Sequence, residues 1–353
     1  MKNGMMKKLA LALAMVLLLA AGAARAEGNS IADVYERVSG AVVQVRNMAE
    51  TWSPENGATV ETALGASGVV LAEDFVLTNW HVVYEADYVE VETLDGQIVR
   101  ARDIFTDDSL DLAVLKLEKP LTGVTPVTLG DSSALRPGDQ AIAIGNVMLN
   151  DLVFPATLTV GYISGVNRSS ANMGNFTRNV PLIQFDAAVN YGCSGGGLFN
   201  GAGELIGLTT LKGGLIEDMS YENLSFAIPS ATIQRVTSDL MAYGVVKRPR
   251  MGVMVSDLDG PEEPIRTYPP AGLLASEVDP EGPAGQAGML LNDIIVEFDG
   301  VRVHTFNELS TLLDDHAAGD TVHVKVYRCL DEEGYMTDDP EYVEMDITLG
   351  ILD

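Results

Sequence analysis

From Asp186 the chain reads Asp-Ala-Ala-Val-Asn-Tyr-Gly-Cys-Ser-Gly-Gly-Gly-Leu, ending at Leu198. A serine set among glycines sits on a tight turn, where backbone N–H groups can converge on one point beside its hydroxyl. That point is where the oxyanion of a tetrahedral adduct would develop, which makes Ser194 a candidate nucleophile. Taken alone, the stretch is equally an ordinary glycine-rich loop turn. A serine hydroxyl needs a base to act. Of the four histidines (His81, His304, His316 and His323), only His81 falls in the strand-rich part of the chain, within Thr78-Asn79-Trp80-His81-Val82-Val83. An imidazole in turn needs a carboxylate to orient it. Asp111 opens the otherwise apolar run Asp111-Leu-Ala-Val-Leu-Lys116, and a buried Asp there needs a partner. The chain order His, Asp, Ser is one of those in which such a triad occurs.

The elements that would position these residues are short strands. Ala41–Val45, Gly68–Leu71, Phe75–Thr78, Tyr88–Thr93, Leu112–Leu117 and Gln140–Ile144 are rich in β-branched residues and separated by turn signals such as Asp95-Gly96. Leu158–Ile163, Leu182–Phe185, Leu198–Phe199, Glu204–Thr210 and Leu224–Ala227 continue the pattern. This spacing predicts an all-β barrel or sandwich. Ser30 caps a short helix before it. Pro229–Tyr243 is helical, with Ile233, Val236, Leu240 and Tyr243 on one face and Gly244 as its stop. Val245–Pro249 reads as a linker. The remainder mixes strands (Gly272–Val278, Ile294–Phe298, Thr321–Arg328, Val343–Leu349) with a helix starting at Thr305, where Glu308 completes a capping box. It reads as a small α+β module, with residues 331–341 as an acidic hairpin tip.

Composition narrows the function. The 353 residues carry 22 Lys+Arg against 50 Asp+Glu, a net charge of −28. So acidic a surface repels phosphate backbones and argues against nucleic acid as a partner. Residues 249–353 alone hold five basic and 23 acidic side chains. Two cysteines cannot make a disulfide framework. At the start, Lys2, Lys7 and Lys8 precede the apolar run Leu9–Ala21, and Ala24-Arg25-Ala26 offers small residues before Glu27. That is the layout of a signal peptide, residues 1–26, with cleavage expected after Ala26 and a retained membrane anchor as the alternative. The expected location is outside the cytoplasm.

Three segments, Thr78-Asn-Trp-His-Val-Val83, Asp111–Lys116 and Asp186–Leu198, resemble in order those of the HtrA/Deg serine proteases. The second half resembles that family's PDZ domain through Gly272–Pro280, Gly282–Gly288 and Asp293-Ile-Ile-Val296 with Asp299-Gly300. The resemblance implies a mainly β fold: a chymotrypsin-like double β-barrel protease domain over 27–248, then a small α+β PDZ domain over 249–353. It implies Ser194 as nucleophile, His81 as base and then acid, and Asp111 as the holder of the tautomer. The oxyanion hole would be made by the N–H groups of Gly192 and Ser194, with Cys193 as a further candidate.

The uncharged Ala188, Val189, Ser225, Phe226 and Ala227 would form a pocket for small apolar substrate side chains. Met251, Gly252 and Val253 would catch a C-terminal carboxylate, with Leu309 and Leu313 closing the pocket and the bound peptide running beside Val253–Val255. No metal or organic cofactor is implied, and no His-Glu-x-x-His pattern occurs. Implied partners are unfolded or partly folded protein substrates, C-terminal peptides at the PDZ domain, and two further copies in a homotrimer in the periplasm, cell envelope or medium. The chain departs from the family where Pro-Gly-Asn-Ser-Gly-Gly-Pro becomes Tyr191-Gly-Cys-Ser-Gly-Gly-Gly197. Losing both prolines predicts a mobile oxyanion loop, ordered only on activation. It also leaves a second reading, a peptide-binding or chaperone-like scaffold with a dormant protease half.

Overall fold

The computed structural model describes residues 30–53, 57–149, 152–170, 176, 178–212, 223–265, 268–331 and 335–351. The expected signal segment lies outside them. Among the described residues no helix is long and apolar enough to cross a membrane.

The chain enters through helix α1 (Ile31–Val38). Ser30 Oγ accepts from Asp33 N–H and the Asp33 carboxylate accepts from Ser30 N–H, a capping box that satisfies two otherwise orphaned donors. Val34 and Val38 are the buried face. Six strands then close the first barrel: β1 (Val42–Ser53), β2 (Gly57–Ala72), β3 (Phe75–Thr78), β4 (Tyr88–Glu92), β5 (Ile98–Asp107) and β6 (Leu112–Leu117). Their order around the barrel is β1-β2-β3-β6-β5-β4. Between β3 and β4 lies the one-turn helix α2 (Trp80–Val83). A second closed barrel has β7 (Gln140–Leu149), β8 (Leu152–Ser169), β9 (Pro181–Phe185), β10 (Gly197–Phe199), β11 (Leu205–Lys212) and β12 (Ser225–Pro229), in the order β10-β11-β12-β9-β8-β7. Closure removes the exposed edges that open sheets must otherwise protect.

Strand alternation accounts for both cores. Val89 and Val91 turn inward from β4 while their neighbours face out, and Val43, Val45, Val69, Leu77, Leu112 and Val114 complete the first interior. Ile183, Phe185, Leu198, Ile206 and Ala227 fill the second. The hairpin β1–β2 is far longer than its apolar segments predict, and β5 is absent from the sequence reading. β5 alternates exposed Ile98, Arg100 and Arg102 with buried Val99 and Ala101, so its charged outer face hides a strand.

Helix α3 (Ser230–Tyr243) buries Ile233, Val236 and Leu240 as expected, but Tyr243 is exposed, and Gly244 ends the helix at φ +78°. The C-terminal module holds β13 (Pro249–Arg250), β14 (Val253–Leu258), β15 (Gly272–Val278), helix α4 (Pro283–Gln286), β16 (Ile294–Phe298), β17 (Val301–Arg302), helix α5 (Phe306–Leu313), β18 (Thr321–Leu330), β19 (Met336–Thr348) and β20 (Gly350–Ile351). Its main sheet runs β14-β15-β16-β18-β19, with β17 beside β16. The expected acidic tip is shorter than 331–341, because β19 already pairs from Met336, opposite Leu330. The capping box of Thr305 and Glu308 starts α5 as the sequence predicts.

Candidate active site

His81 lies on α2, immediately after β3. A single helical turn has little stability of its own, and Asn47 holds this one. The Asn47 amide is buried in β1 and donates to both Val82 O and Tyr84 O, each at 3.0 Å. Asp111 is fully buried at the end of a short 3-10 turn, with φ +54° in the left-handed region that Asp tolerates better than most residues. Leu117 N–H donates to Asp74 O at 2.9 Å, so the end of β6 lies beside the start of β3, its neighbour in the barrel. Neither His81 nor Asp111 lacks a polar partner.

Ser194 lies in the loop before β10. Its carbonyl accepts from Ser67 N–H of β2 at 2.9 Å, and Ser67 O accepts from Thr78 Oγ1 at 2.7 Å. Through Ser67 the serine loop thus meets the strand that leads to His81. Ser194 Oγ itself donates to Thr210 O at 3.3 Å. The loop has a defined turn. Cys193 N–H donates to Asn190 O at 3.0 Å, Gly192 has φ +90°, and Tyr191 has no positive φ. Positive φ at only the third position of a four-residue turn is type II.

Peptide planes then fix where the N–H groups point. Tyr191 O accepts from Met148 N–H at 2.9 Å. Cys193 O accepts from Gly196 N–H at 2.9 Å and from Thr209 Oγ1 at 2.5 Å. In a trans peptide the N–H lies opposite its carbonyl, so Gly192 N–H and Ser194 N–H are turned away from these anchors. Neither donates to an acceptor among the described residues. Cys193 N–H, by contrast, is spent in the turn and is not a hole donor, which corrects its candidacy.

The expectation of a loop ordered only on activation meets the same geometry: backbone and hydroxyl ties stand where the prolines would. At Gly197 any Cβ would collide with the Phe199 ring, so the residue that replaces the second proline is required by packing. Burial pushes the Cys193 thiol above its ordinary value, which keeps it protonated and unreactive near neutrality.

The five pocket candidates separate. Ala188 and Val189 line a small cavity with Val147, Thr157, Thr159 and Cys193, and no charged residue lines it among the described residues. Ser225, Phe226 and Ala227 do not line this cavity. Ser225 Oγ donates to Ala187 O at 3.0 Å, and Ala227 is packed in the second barrel's core.

In the C-terminal module, Met251, Gly252, Val253, Leu309 and Leu313 all line one groove of about 360 Å³. Met251 and Leu309 also belong to the module's core. Gly252 has φ +75°, and a Cβ there would crowd Pro283. Met251 O accepts from Ala284 N–H and Gly252 O from Asp279 N–H, which turns the Gly252 and Val253 N–H groups to the other side. β14 is the end strand of its sheet, the position from which an extended peptide can add a further strand.

Comparison with known proteins agrees with this layout. Residues 66–208 match the trypsin-like peptidase domain and residues 249–345 the PDZ domain. The chain is 34% identical over 329 residues to the serine protease Do-like HtrA of Bacillus subtilis (strain 168), covering 86% of this chain and 71% of that protein. It is also 34% identical over 269 residues to the periplasmic serine endoprotease DegP of Salmonella typhimurium, covering 75% of this chain and 54% of that one. Among solved structures, the HtrA-type protease AlgW with decapeptide superposes with a TM-score of 0.71 at 27% identity, over 92% of this chain and 99% of that chain. The fold and motifs define a trypsin-like serine endopeptidase carrying a PDZ domain. The chain belongs to the HtrA family of serine proteases.

The sequence reading missed the residues that support this site: Asn47, Ser67 and Asn146. Each is a fully or nearly fully buried polar side chain in an apolar strand, and that mismatch is the signal that points to them.

Proposed function

We propose that this chain is an extracytoplasmic, ATP-independent serine endopeptidase that cleaves misfolded or regulatory protein substrates. Residues 27–248 form the protease domain and 249–353 the PDZ domain. Ser194 Oγ attacks the scissile carbonyl. His81 takes its proton and returns it to the leaving amine, and Asp111 holds the imidazole in the tautomer this requires. The Gly192 and Ser194 N–H groups stabilise the oxyanion. A substrate's or regulator's C-terminus docks against Met251–Val253 and continues as a strand beside β14. The uncharged cavity at Ala188 and Val189 favours cleavage after small apolar residues. The assembly is a homotrimer, and removal of residues 1–26 leaves a mature chain starting at Glu27.

The observation that carries this reading is the type II turn beside Ser194, with two N–H groups free to receive an oxyanion. It favours a working enzyme over a dormant scaffold. The similar proteins support the location and the peptide ligand: one is a periplasmic endoprotease, the other a protease with a bound decapeptide. Degradation of casein by residues 27–353 tests it. Cleavage is expected in the wild type and lost in Ser194→Ala and His81→Ala. Equal cleavage by wild type and Ser194→Ala would overturn the assignment.

A further inference from the structure

We propose that Ser67 is a positioning residue for the oxyanion hole, its hydroxyl supplying the restraint on the Tyr191–Ser194 turn that a proline ring would otherwise give. The inference rests on the protease reading of Ser194.

Ser67 is fully buried in β2, and each of its polar groups is committed. Its N–H donates to Ser194 O at 2.9 Å. Its carbonyl accepts from Thr78 Oγ1 at 2.7 Å. Its Oγ–H donates to Gly192 O at 2.7 Å, and the same Oγ accepts from Asn146 N–H at 2.7 Å. Ser67 therefore joins the first barrel to the bulge of β7 at Asn146 and to both residues whose N–H groups face the hole, Gly192 through its hydroxyl and Ser194 through its backbone N–H.

Asn146 is fixed in turn. Its amide donates to Val43 O at 2.7 Å and accepts from Ala156 N–H at 2.9 Å. The relay Val43–Asn146–Ser67–Gly192 is thus anchored in β1 at one end and in the turn at the other. It has little slack, because a Cβ on Gly145 would already stand 3.2 Å from Ser67 Oγ.

The chemistry makes the hydroxyl matter. A type II turn and its type I counterpart differ by a flip of the central peptide, here Tyr191–Gly192. The flip points Tyr191 O, in place of Gly192 N–H, at the hole. Gly192 tolerates either form, so the residue does not select one. The bond from Ser67 Oγ to Gly192 O holds the peptide that follows the flipping one. Without it, Gly192 O and Asn146 N–H lose their shared partner inside the protein and gain by rearranging. A loop with proline at the Tyr191 position would have φ fixed by its ring; this loop is held instead by Met148 N–H on Tyr191 O and by the Ser67 hydroxyl on Gly192 O.

The test compares wild type, Ser67→Ala and Ser67→Cys in residues 27–353. Cys keeps the shape but is a weak donor, so it remains informative if Ala fails to fold. Steady-state cleavage of a fluorogenic peptide gives kcat and KM. A peptide boronate, which forms a tetrahedral adduct, reports the hole, and a non-covalent product peptide reports the rest of the cleft. Losing one hole donor lowers kcat about 10²–10³-fold. A misplaced one is expected to lower it about 10–100-fold in Ser67→Ala and less in Ser67→Cys. KM and product affinity are expected to stay within about twofold, while boronate affinity falls in step with kcat. Unchanged kcat, or boronate and product affinities falling together, would overturn the role of Ser67 alone. A wild type that neither cleaves nor binds boronate would overturn the protease reading itself.

Discussion

The candidate triad was legible because its chemistry dictates residue type. A nucleophilic serine must have a base, and His81 is the one histidine in the strand-rich half of the chain. The oxyanion donors were less legible. Backbone N–H groups belong to every residue, and only φ at Gly192 and the bond from Cys193 N–H to Asn190 O decide which ones face the hole. Ser67 stands out in the sequence only as a polar residue in an apolar strand; its role is not legible there, because its partners lie 79 and 125 residues away. The close approach at Gly195 gives a prediction at this scale. Its φ is +80°, and a Cβ would overlap Ser67 O and Thr78 Oγ1. Gly195→Ala is expected to destabilise the protein by at least about 1 kcal/mol, read as a lowered urea midpoint, and to abolish cleavage. A variant with wild-type stability and activity would show that the loop is not packed against β2 as described.

At the scale of elements, capped and strongly patterned pieces were read correctly: α1 with Ser30, α5 with Thr305, and strands such as β3 and β16. The failures share a cause. β5 carries charged residues on its exposed face, and the outer half of the β1–β2 hairpin and the start of β19 lie outside any apolar run of the sequence. Pairing with a neighbouring strand, not local hydrophobicity, makes them strands. The same dependence governs α2, too short to form alone. Removing the side chain that clamps it, in Asn47→Ala, leaves Val82 O and Tyr84 O without their donor. The expected cost is about 1–3 kcal/mol, seen in the urea midpoint, together with a lower kcat as His81 loses its fixed position. Lost stability with unchanged kcat would mean that His81 is positioned by other contacts.

At the scale of the whole molecule, the charge is uneven: residues 249–353 hold 23 of the 50 acidic side chains against only five basic ones. All three of its histidines sit beside carboxylates. His323 Nδ1 lies 2.9 Å from Asp346, and this hydrogen bond, helped by Glu344 and Asp299, raises its pKa above the ordinary 6.5. A raised folded pKa contributes stability that is fully present below the unfolded value and is lost as pH rises through the folded one. The group is exposed, so the contribution is small. The difference in urea midpoint between wild type and His323→Gln is therefore expected at pH 5.5 and to vanish by pH 9. The opposite trend would contradict the assigned direction. The central claim is that Ser194 stands beside a hole already shaped for an oxyanion. Fluorophosphonate labelling of residues 27–353 with no added peptide, followed by intact mass and peptide mapping, tests it most directly. One adduct, located on Ser194 and absent from Ser194→Ala, is the predicted result. No adduct, or one that persists in Ser194→Ala, would contradict it.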